Sequence, residues 1–330
     1  MSLATATTPD FFARFESRLK ETLCDPRHDA RKPHVLLDAS RHLAFASAAK
    51  RMRPLLVDHF GAAVELGENH RLSIATAAEL IHSASLLHDD VIDEGTERRG
   101  QSTANAQWSN SVAVLGGDLL LCIALEQLYE LPRPVTRTAV DLVAEMTRSA
   151  MREVQARHQP HWDIADWEAI AAGKTGALLG WCGAAPAITA NRPTIADSFS
   201  NCGHHLGLAF QITDDVLDLV GQQTGKDRYA DLRNANPSFP IALVRTESKS
   251  IRDQIDRLWA IDETNDEALE RLAATIVEFG ALEVAWERIE KHLDIAMESL
   301  GAFASGPGGR HIARWADQLR SIARKTMEDS

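Results

Sequence analysis

Cysteine, aromatic side chains and long apolar runs are all scarce in this sequence. Its 330 residues include four cysteines, and aromatic residues make up 6% of the chain. The cysteines are scattered without a C-x-x-C pair, which predicts reduced thiols packed as small apolar side chains. No uncharged run reaches the roughly 20 residues that cross a bilayer, and the N-terminus lacks the basic and apolar regions of a secretory signal. We therefore expect a cytoplasmic protein.

Positive charge is also in deficit. The net charge is −12 with a pI near 5.5, so the sequence has no electrostatic footprint for nucleic acid. An acidic chain that binds anionic substrates must concentrate its cations locally or bring metal ions. Hydrophobic residues at 45% and charged residues at 25% are typical of a globular protein with a large core. Because no Ser/Gly/Pro-rich linker separates two patterns, we expect one domain over residues 1–330.

Strand signals are nearly missing, since no sustained alternation and no Asn-Gly hairpin occurs. Apolar residues recur instead at helical spacing, and the run from Arg71 to Asp93 is apolar nearly all round, as in a buried central helix. The predicted class is all-α, one large helical bundle. The predicted helices cover about 9–23, 35–66 (a pair), 71–93, 111–129, 134–158, 167–187 and 194–219, with further helices to the C-terminus.

Two acidic clusters with the same D-D-x-x-D spacing organise the chain. The first lies in LLHDDVIDEGTERRG (Leu86–Gly100) and the second in QITDDVLD (Gln211–Asp218). Helix geometry places positions i and i+4 on one face. Carboxylates packed on an apolar helix are costly without a cation, and Mg²⁺ prefers oxygen ligands from a few carboxylates, water and phosphate. We expect the two clusters to face each other and to hold several Mg²⁺ ions around a diphosphate.

One such cluster alone is as well explained by a solvated acidic face or a helix end. Two copies on apolar helices, the first followed at once by Arg98 and Arg99, favour the metal site. Isolated cations beside apolar runs add phosphate-binding candidates, namely Lys50, Arg51, Arg53, Lys174 with Thr175, and Lys226. The AGKT segment is not a Walker A loop, because the upstream glycine and the preceding strand are both missing.

These motifs together resemble the trans-isoprenyl diphosphate synthases, the polyprenyl synthetase family, over nearly the whole chain. KRMRP, HSASLLHDDVIDEGTERRG, GKTGALL and LGLAFQITDDVLD are similar to the family's basic, first aspartate-rich, Lys-Thr and second aspartate-rich motifs. The resemblance implies a helical bundle around a deep central cavity. It also implies condensation of isopentenyl diphosphate with an allylic diphosphate through an allylic cation, with a homodimer as the usual assembly and a peripheral membrane contact for product release.

The family pattern assigns roles residue by residue. It implies Mg²⁺ ligands at Asp89, Asp93 and Asp214, with Asp90 and Asp215 completing the catalytic motifs and Asp218 further from the metal. It implies isopentenyl diphosphate binding by Lys50, Arg53, His82 and Arg99, and allylic diphosphate binding by Arg98, Lys174, Thr175, Gln211 and Lys226. For His82, a buried structural histidine is an open alternative.

The sequence departs from the family pattern at two places. Ala48-Ala49 replace the usual Gly-Gly, and Ala235-Asn236 replace a Gly-Lys pair whose lysine helps to hold the allylic diphosphate. Arg233 is a candidate substitute for that lysine. Small residues at Ala84 and Ser85, where short-chain members carry bulky aromatics, predict a long product of about forty carbons. Ordinary tight helix packing is the alternative reading of these two residues.

Other functions stay open at this point. A shorter-chain geranylgeranyl or farnesyl diphosphate synthase has the same motifs. A class I terpene cyclase shares metal-triggered ionisation, although the intact second D-D-x-x-D argues against it. A non-catalytic partner subunit would be expected to lose aspartates, and this chain keeps all six.

Overall fold

The computed structural model describes residues 9–29, 34–46, 51–98, 100–157, 162–220, 229–260 and 265–328. These residues are overwhelmingly helical, so the predicted all-α class is confirmed. The helices before residue 160 are α1 (Pro9–Leu23), α2 (Pro26–Asp29), α3 (Val35–Ala44), α4 (Met52–Ala63), α5 (Glu68–Ile92), α6 (Ala104–Gln107), α7 (Asn110–Glu126) and α8 (Arg133–Arg157). The later helices are α9 (Ile164–Ala171), α10 (Ala177–Thr189), α11 (Pro193–Leu219), α12 (Ala230–Arg233), α13 (Phe239–Glu247), α14 (Lys249–Trp259), α15 (Asp266–Glu278), α16 (Ala281–Leu300) and α17 (Pro307–Glu328).

Three short elements interrupt this pattern where the sequence predicts loop or continuous helix. Strands β1 (Glu97–Arg98) and β2 (Gln101–Ser102) form a two-stranded antiparallel hairpin between the helices predicted over 71–93 and 111–129. A π-helical turn (Ala172–Gly176) divides the single helix predicted over 167–187. A 3₁₀ turn (Gly301–Ser305) separates α16 from α17.

The described residues group into two compact units. The first takes in Met1–Val143, Trp181–Ser200 and Leu300–Trp315, and the second takes in Ala144–Gly180, Asn201–Ser299 and Ala316–Ser330. The single domain over 1–330 and its central cavity stay predictions. Within the described ranges, none of the helices combines the length and the apolar character that crossing a membrane requires.

The first unit is built around α5. This helix packs most extensively against α7 and also against α4, α3 and α1. Gly117 of α7 leaves room for the His88 side chain of α5, since an added Cβ would lie 2.3 Å from Nε2 of His88. Helix α1 covers the unit with Phe11, Phe15 and Leu19, which are all buried at intervals of four residues. The C-terminal end of α5 therefore belongs to a well-packed helix.

The second unit depends on close approach of α11 to α10 and to the π-helical turn. A Cβ at Gly203 would lie 2.2 Å from the backbone oxygen of Leu179, and a Cβ at Gly207 would lie 2.9 Å from the backbone oxygen of Thr175. Only glycine allows the two backbones to meet at these distances. This contact positions the helix that carries the second acidic cluster.

We expect Gly203→Ala to lower the free energy of unfolding by about 2–3 kcal/mol, because the added methyl group meets backbone rather than a movable side chain. Urea unfolding followed by circular dichroism measures the change. Gly67→Ala is the matched control, since a Cβ there meets no described atom within 4 Å and Gly67 has φ of −57°. Equal stability of the two variants would show that the α10–α11 contact relaxes without cost.

Candidate active site

The first acidic cluster lies at the C-terminal end of α5. Asp89 is half-buried, Asp90 is only 2% exposed, and Asp93, which caps the helix, is exposed. Asp89 and Asp93 thus lie one turn apart with access to solvent, while Asp90 turns inward. The helix dipole places partial negative charge at this end, so three carboxylates here repel both one another and the helix terminus. A bound cation would relieve that repulsion.

Asp90 is held by the hairpin that follows the cluster. The β1–β2 turn brings Arg98 back, and its Nε donates to Asp90 Oδ1 over 2.5 Å. The same loop is pinned through Gly95, whose N–H donates to the Asp90 carbonyl oxygen and whose carbonyl accepts from Thr103 Oγ1. Burial raises the pKa of the Asp90 carboxyl, and Arg98 opposes that rise. Arg98, predicted to hold diphosphate, therefore also organises the first cluster.

The second acidic cluster lies near the C-terminal end of α11. Asp214 and Asp218 are half-buried, whereas Asp215 is only 5% exposed. Asp218 accepts the backbone N–H groups of Ala230 at 3.1 Å and Asp231 at 2.9 Å, and so its carboxylate caps the first turn of α12. Asp214 keeps the partly accessible position that a metal ligand requires.

Asp215 is the most constrained carboxylate of the cluster. Its Oδ1 accepts from Gln211 Nε2, and its Oδ2 accepts from both Trp167 Nε1 and the Phe239 backbone N–H, each at 2.8 Å. Burial raises the pKa of the Asp215 carboxyl, and hydrogen bonds from Gln211, Phe239 and Trp167 oppose that rise. Because all three contacts are N–H donors, the ionised carboxylate matches this environment.

The Lys-Thr motif occupies the π-helical turn. Such turns interrupt the regular i to i−4 ladder and are frequent at functional sites. Lys174 forms an ion pair with Glu153 of α8, and Thr175 Oγ1 donates to Gln211 Oε1 over 2.7 Å. Gln211 must turn its Nε2 to the Asp215 carboxylate, so its Oε1 is left to accept from Thr175. The motif is thereby tied to the second acidic cluster.

The remaining predicted ligands of the diphosphates fall in two groups. Arg53 on α4 and His82 on α5 are half-buried in the first unit. Lys50, Arg99 and Lys226 lie outside the described residues. Upstream of the first cluster, Ala84 is fully buried, and Ser85 is half-buried with its hydroxyl donating to the His82 carbonyl at 2.9 Å.

The contacts of Arg51 do not fit the prediction that it binds phosphate together with Lys50 and Arg53. Its side chain is buried, with Nη1 2.6 Å from Glu79 Oε1 and Nε 2.8 Å from Glu16 Oε1. Nη2 donates to the Ala44 carbonyl at 2.6 Å. These contacts join Arg51 to α1, α3 and α5. Its charge stabilises the first unit and is not presented to a ligand.

The departure at Ala235-Asn236 has a local structural signature. Ala235 adopts φ of +53°, the left-handed region that glycine occupies more readily. Asn236 donates from Nδ2 to Asp231 Oδ1 over 3.2 Å. Arg233, the candidate substitute for the absent lysine, forms an ion pair with Asp266 at 2.5 Å. The loop therefore keeps a glycine-like turn while its arginine neutralises a carboxylate of α15.

The donor chemistry at the two clusters fits Mg²⁺. Asp89, Asp93 and Asp214 offer hard carboxylate oxygens on accessible positions near helix C-termini. Among the described residues, no group of three or more His, Cys, Asp or Glu side chains forms a metal cage. A protein cage is not required, because Mg²⁺ usually takes one or two carboxylates and fills its other positions with water and phosphate oxygens.

Comparison with known proteins identifies the family to which the chain belongs. Residues 34–276 match the family model described as Polyprenyl synthetase. The chain is 33% identical over 276 residues to the all-trans-nonaprenyl-diphosphate synthase (geranyl-diphosphate specific) of Rhodobacter capsulatus, covering 82% of this chain and 83% of that protein. It is 32% identical over 257 residues to the (2E,6E)-farnesyl diphosphate synthase of Mycobacterium tuberculosis, covering 72% and 71%.

A solved structure agrees with these relatives. The crystal structure of a decaprenyl diphosphate synthase from Rhodobacter capsulatus has a TM-score of 0.84 at 26% identity, over 94% of this chain and 96% of that chain. The all-α fold thus corresponds to that of an isoprenyl diphosphate synthase. The chain belongs to the polyprenyl synthetase family, which confirms the resemblance found in its motifs.

Proposed function

We propose that this protein is a Mg²⁺-dependent trans-prenyl diphosphate synthase that joins isopentenyl diphosphate to an allylic diphosphate. The observation that carries the proposal is the repeated arrangement of the acidic clusters. Each lies at the C-terminal end of a helix with one aspartate buried and hydrogen-bonded and another accessible. Family membership supports the same activity.

The reaction needs no nucleophilic side chain. The allylic C–O bond breaks, and its electron pair leaves with the diphosphate. The double bond of isopentenyl diphosphate attacks the resulting allylic cation, and a proton is then lost to the departing diphosphate. When bound, Mg²⁺ supplies Lewis-acid stabilisation of the charge that develops on the leaving group.

The chain's own residues bind and orient the two substrates. Asp89, Asp93 and Asp214 would hold the metal ions. Lys174, with Thr175 and Gln211 beside it, and Arg98 beside Asp90 provide donors for the allylic diphosphate, together with Lys226. Arg53 and His82 of the first unit provide a cation and a ring nitrogen for isopentenyl diphosphate, with Lys50 and Arg99. Preorganised donors of this kind act on transition-state charge without reorganising during the reaction.

We propose a long product of about forty carbons, because Ala84 and Ser85, one turn before Asp89, carry small side chains where a bulky aromatic ring would block a growing chain. The relatives named above make products from farnesyl to decaprenyl diphosphate, so relationship alone does not select a length. A shorter-chain synthase is the alternative.

Ala84→Phe is expected to shorten the main product by about two or more isoprene units, because the ring would fill the space below the first cluster. Ala77, also fully buried, lies two turns earlier on the same face of α5. Phenylalanine there should shorten the product less, giving the order wild type, Ala77→Phe, Ala84→Phe. Mass spectrometry of the products measures the lengths, and circular dichroism checks folding. An unchanged product in a folded Ala84→Phe variant would contradict the pocket assignment.

A product assay tests the function itself. Purified protein receives Mg²⁺, excess isopentenyl diphosphate and, separately, dimethylallyl, geranyl, farnesyl or geranylgeranyl diphosphate. A ladder ending at one product establishes the elongating synthase. Cyclised hydrocarbon without use of isopentenyl diphosphate would establish a terpene cyclase. No turnover with any primer would favour the non-catalytic partner subunit, for which the Ala235-Asn236 departure is the supporting feature.

We further propose a cytoplasmic homodimer that contacts the membrane surface to release its product. Helix α7 is the candidate contact helix, and its Gly116 and Gly117 are buried against α3 and α5. Its exposed face includes two neighbouring large apolar side chains, with Leu115 52% and Val114 39% exposed. An exposed apolar helix face is typical of an interaction site. Light scattering on the purified protein and vesicle sedimentation test the dimer and the membrane contact.

A further inference from the structure

We propose that Trp167 is a positioning residue for the second acidic cluster. Its indole N–H fixes the Asp215 carboxylate, and through it the C-terminal turns of α11 that present Asp214. No motif that indicates the function contains Trp167. The inference rests on the proposed function, because it assigns to Asp214 the task of holding Mg²⁺.

The contact is direct and desolvated. Trp167 Nε1 donates to Asp215 Oδ2 over 2.8 Å, and the two residues are 2% and 5% exposed. Hydrogen bonds to charged groups are about twice as strong as neutral ones, and a buried carboxylate deprived of a donor is costly. The indole N–H therefore stabilises this buried carboxylate, in addition to the packing that the ring provides.

A second element locks the indole in place. The Phe239 ring meets the Trp167 ring edge to face, with centroids 5.0 Å apart and an interplanar angle of 77°. The Phe239 backbone N–H donates to the same Oδ2 at 2.8 Å. Asp215 thus accepts hydrogen bonds from α9 and from the start of α13. Its third donor, Gln211, lies one turn earlier on α11 itself.

The hydrogen bonds of Asp215 extend to the Lys-Thr motif. Gln211 links the Asp215 carboxylate to the Thr175 hydroxyl, which lies next to Lys174 in the π-helical turn. Trp167 lies at the other end of this chain of hydrogen bonds, seven residues before Lys174 along the sequence. One buried carboxylate therefore connects the second acidic cluster to the Lys-Thr motif, and Trp167 supplies one of the two N–H donors that hold its Oδ2.

Trp167→Phe tests the inference, because it keeps an aromatic ring against Phe239 and removes the N–H. Trp181→Phe is the matched control. Trp181 is also buried, but its Nε1 donates to the neutral hydroxyl of Thr138 at 3.1 Å. Thermal unfolding of both variants reports any general loss of packing. Trp167→Tyr, which keeps a ring and a polar donor, is the second variant if Trp167→Phe does not fold.

Binding of Mn²⁺ is measured first, by the loss of the free-ion electron paramagnetic resonance signal in the presence of inorganic diphosphate. We expect Trp167→Phe to weaken Mn²⁺ binding by about tenfold and kcat to fall by about 10- to 100-fold, with KM for isopentenyl diphosphate within about twofold of wild type. Trp181→Phe should change none of these. Greater Mn²⁺ affinity in Trp167→Tyr than in Trp167→Phe would add support.

Wild-type Mn²⁺ affinity and kcat in folded Trp167→Phe would overturn the inference. Equal losses in Trp167→Phe and Trp181→Phe, accompanied by equal drops in melting temperature, would also overturn it, since packing alone would then explain them. Failure of the proposed function gives a different result: wild-type protein that turns over no primer. The Mn²⁺ comparison between the two tryptophan variants still reports on Trp167 in that case.

Discussion

Asp214→Asn lowers kcat/KM by about 1,000-fold or more, if the second cluster holds metal as proposed. The amide keeps the shape of the carboxylate and one acceptor oxygen but loses the negative charge that balances Mg²⁺. Asp214 is half-buried near the end of α11, so the substitution should leave the fold intact. Steady-state kinetics with saturating Mg²⁺ and an accepted allylic primer measures the loss.

Asp218→Asn is the matched control for this prediction, because it makes the same chemical change one turn further along the same helix. The Asp218 carboxylate caps α12 through the N–H groups of Ala230 and Asp231. Its amide can still accept one of these bonds, so we expect a loss of no more than about tenfold in kcat/KM and about 1 kcal/mol in stability. A larger activity loss in Asp218→Asn than in Asp214→Asn would indicate that Asp218, and not Asp214, is the metal ligand.

The helices could be predicted from the sequence, because burial of one helix face gives the apolar residues a helical period. Helix α1 has the predicted bounds, and α5 and α8 differ from prediction by at most a few residues. The π-helical turn was not accessible, because a local pattern does not report which backbone will pass close by. There the second unit brings Gly207 of α11 against Thr175, a contact between residues far apart in sequence.

The candidate site also has features that the sequence predicts and features that depend on tertiary packing. The D-D-x-x-D spacing predicts that Asp89 and Asp93 share a face, and the structure places both on the accessible side of α5 while Asp90 is buried. Spacing did not indicate the partners of the buried aspartates. Asp215 takes two of its three donors from Trp167 and Phe239, which are 48 and 24 residues away. Only tertiary packing brings those groups together, and the roles assigned to the cluster stay predictions.

Arg51 shows the limit of sequence reasoning most clearly, because a basic motif does not reveal which of its cations are structural. Lys50, Arg51 and Arg53 read alike in the sequence, yet Arg51 is 5% exposed and faces Glu79, which is 2% exposed. It also adopts φ of +49° at the start of α4. The arginine is thus held by both its side chain and its backbone turn.

Arg51→Met is expected to lower the free energy of unfolding by about 3–5 kcal/mol, because it leaves the buried Glu79 carboxylate without its counter-charge. Arg14→Met is the control: Arg14 also meets two carboxylates, Asp10 and Glu68, but its side chain is 44% exposed. Exposed pairs contribute about 0–1 kcal/mol. Denaturant unfolding of the two variants should therefore separate them clearly.

The double variant Arg51→Met/Glu79→Leu identifies the cause of the loss. Removing both charges eliminates the uncompensated carboxylate, so stability should recover by about 1 kcal/mol or more relative to Arg51→Met alone. No recovery would assign the loss to the bonds that Arg51 makes to Glu16 and to the Ala44 carbonyl. Either way, a destabilised Arg51→Met variant whose folded fraction keeps the wild-type KM for isopentenyl diphosphate distinguishes this arginine from Lys50 and Arg53, for which we propose substrate binding.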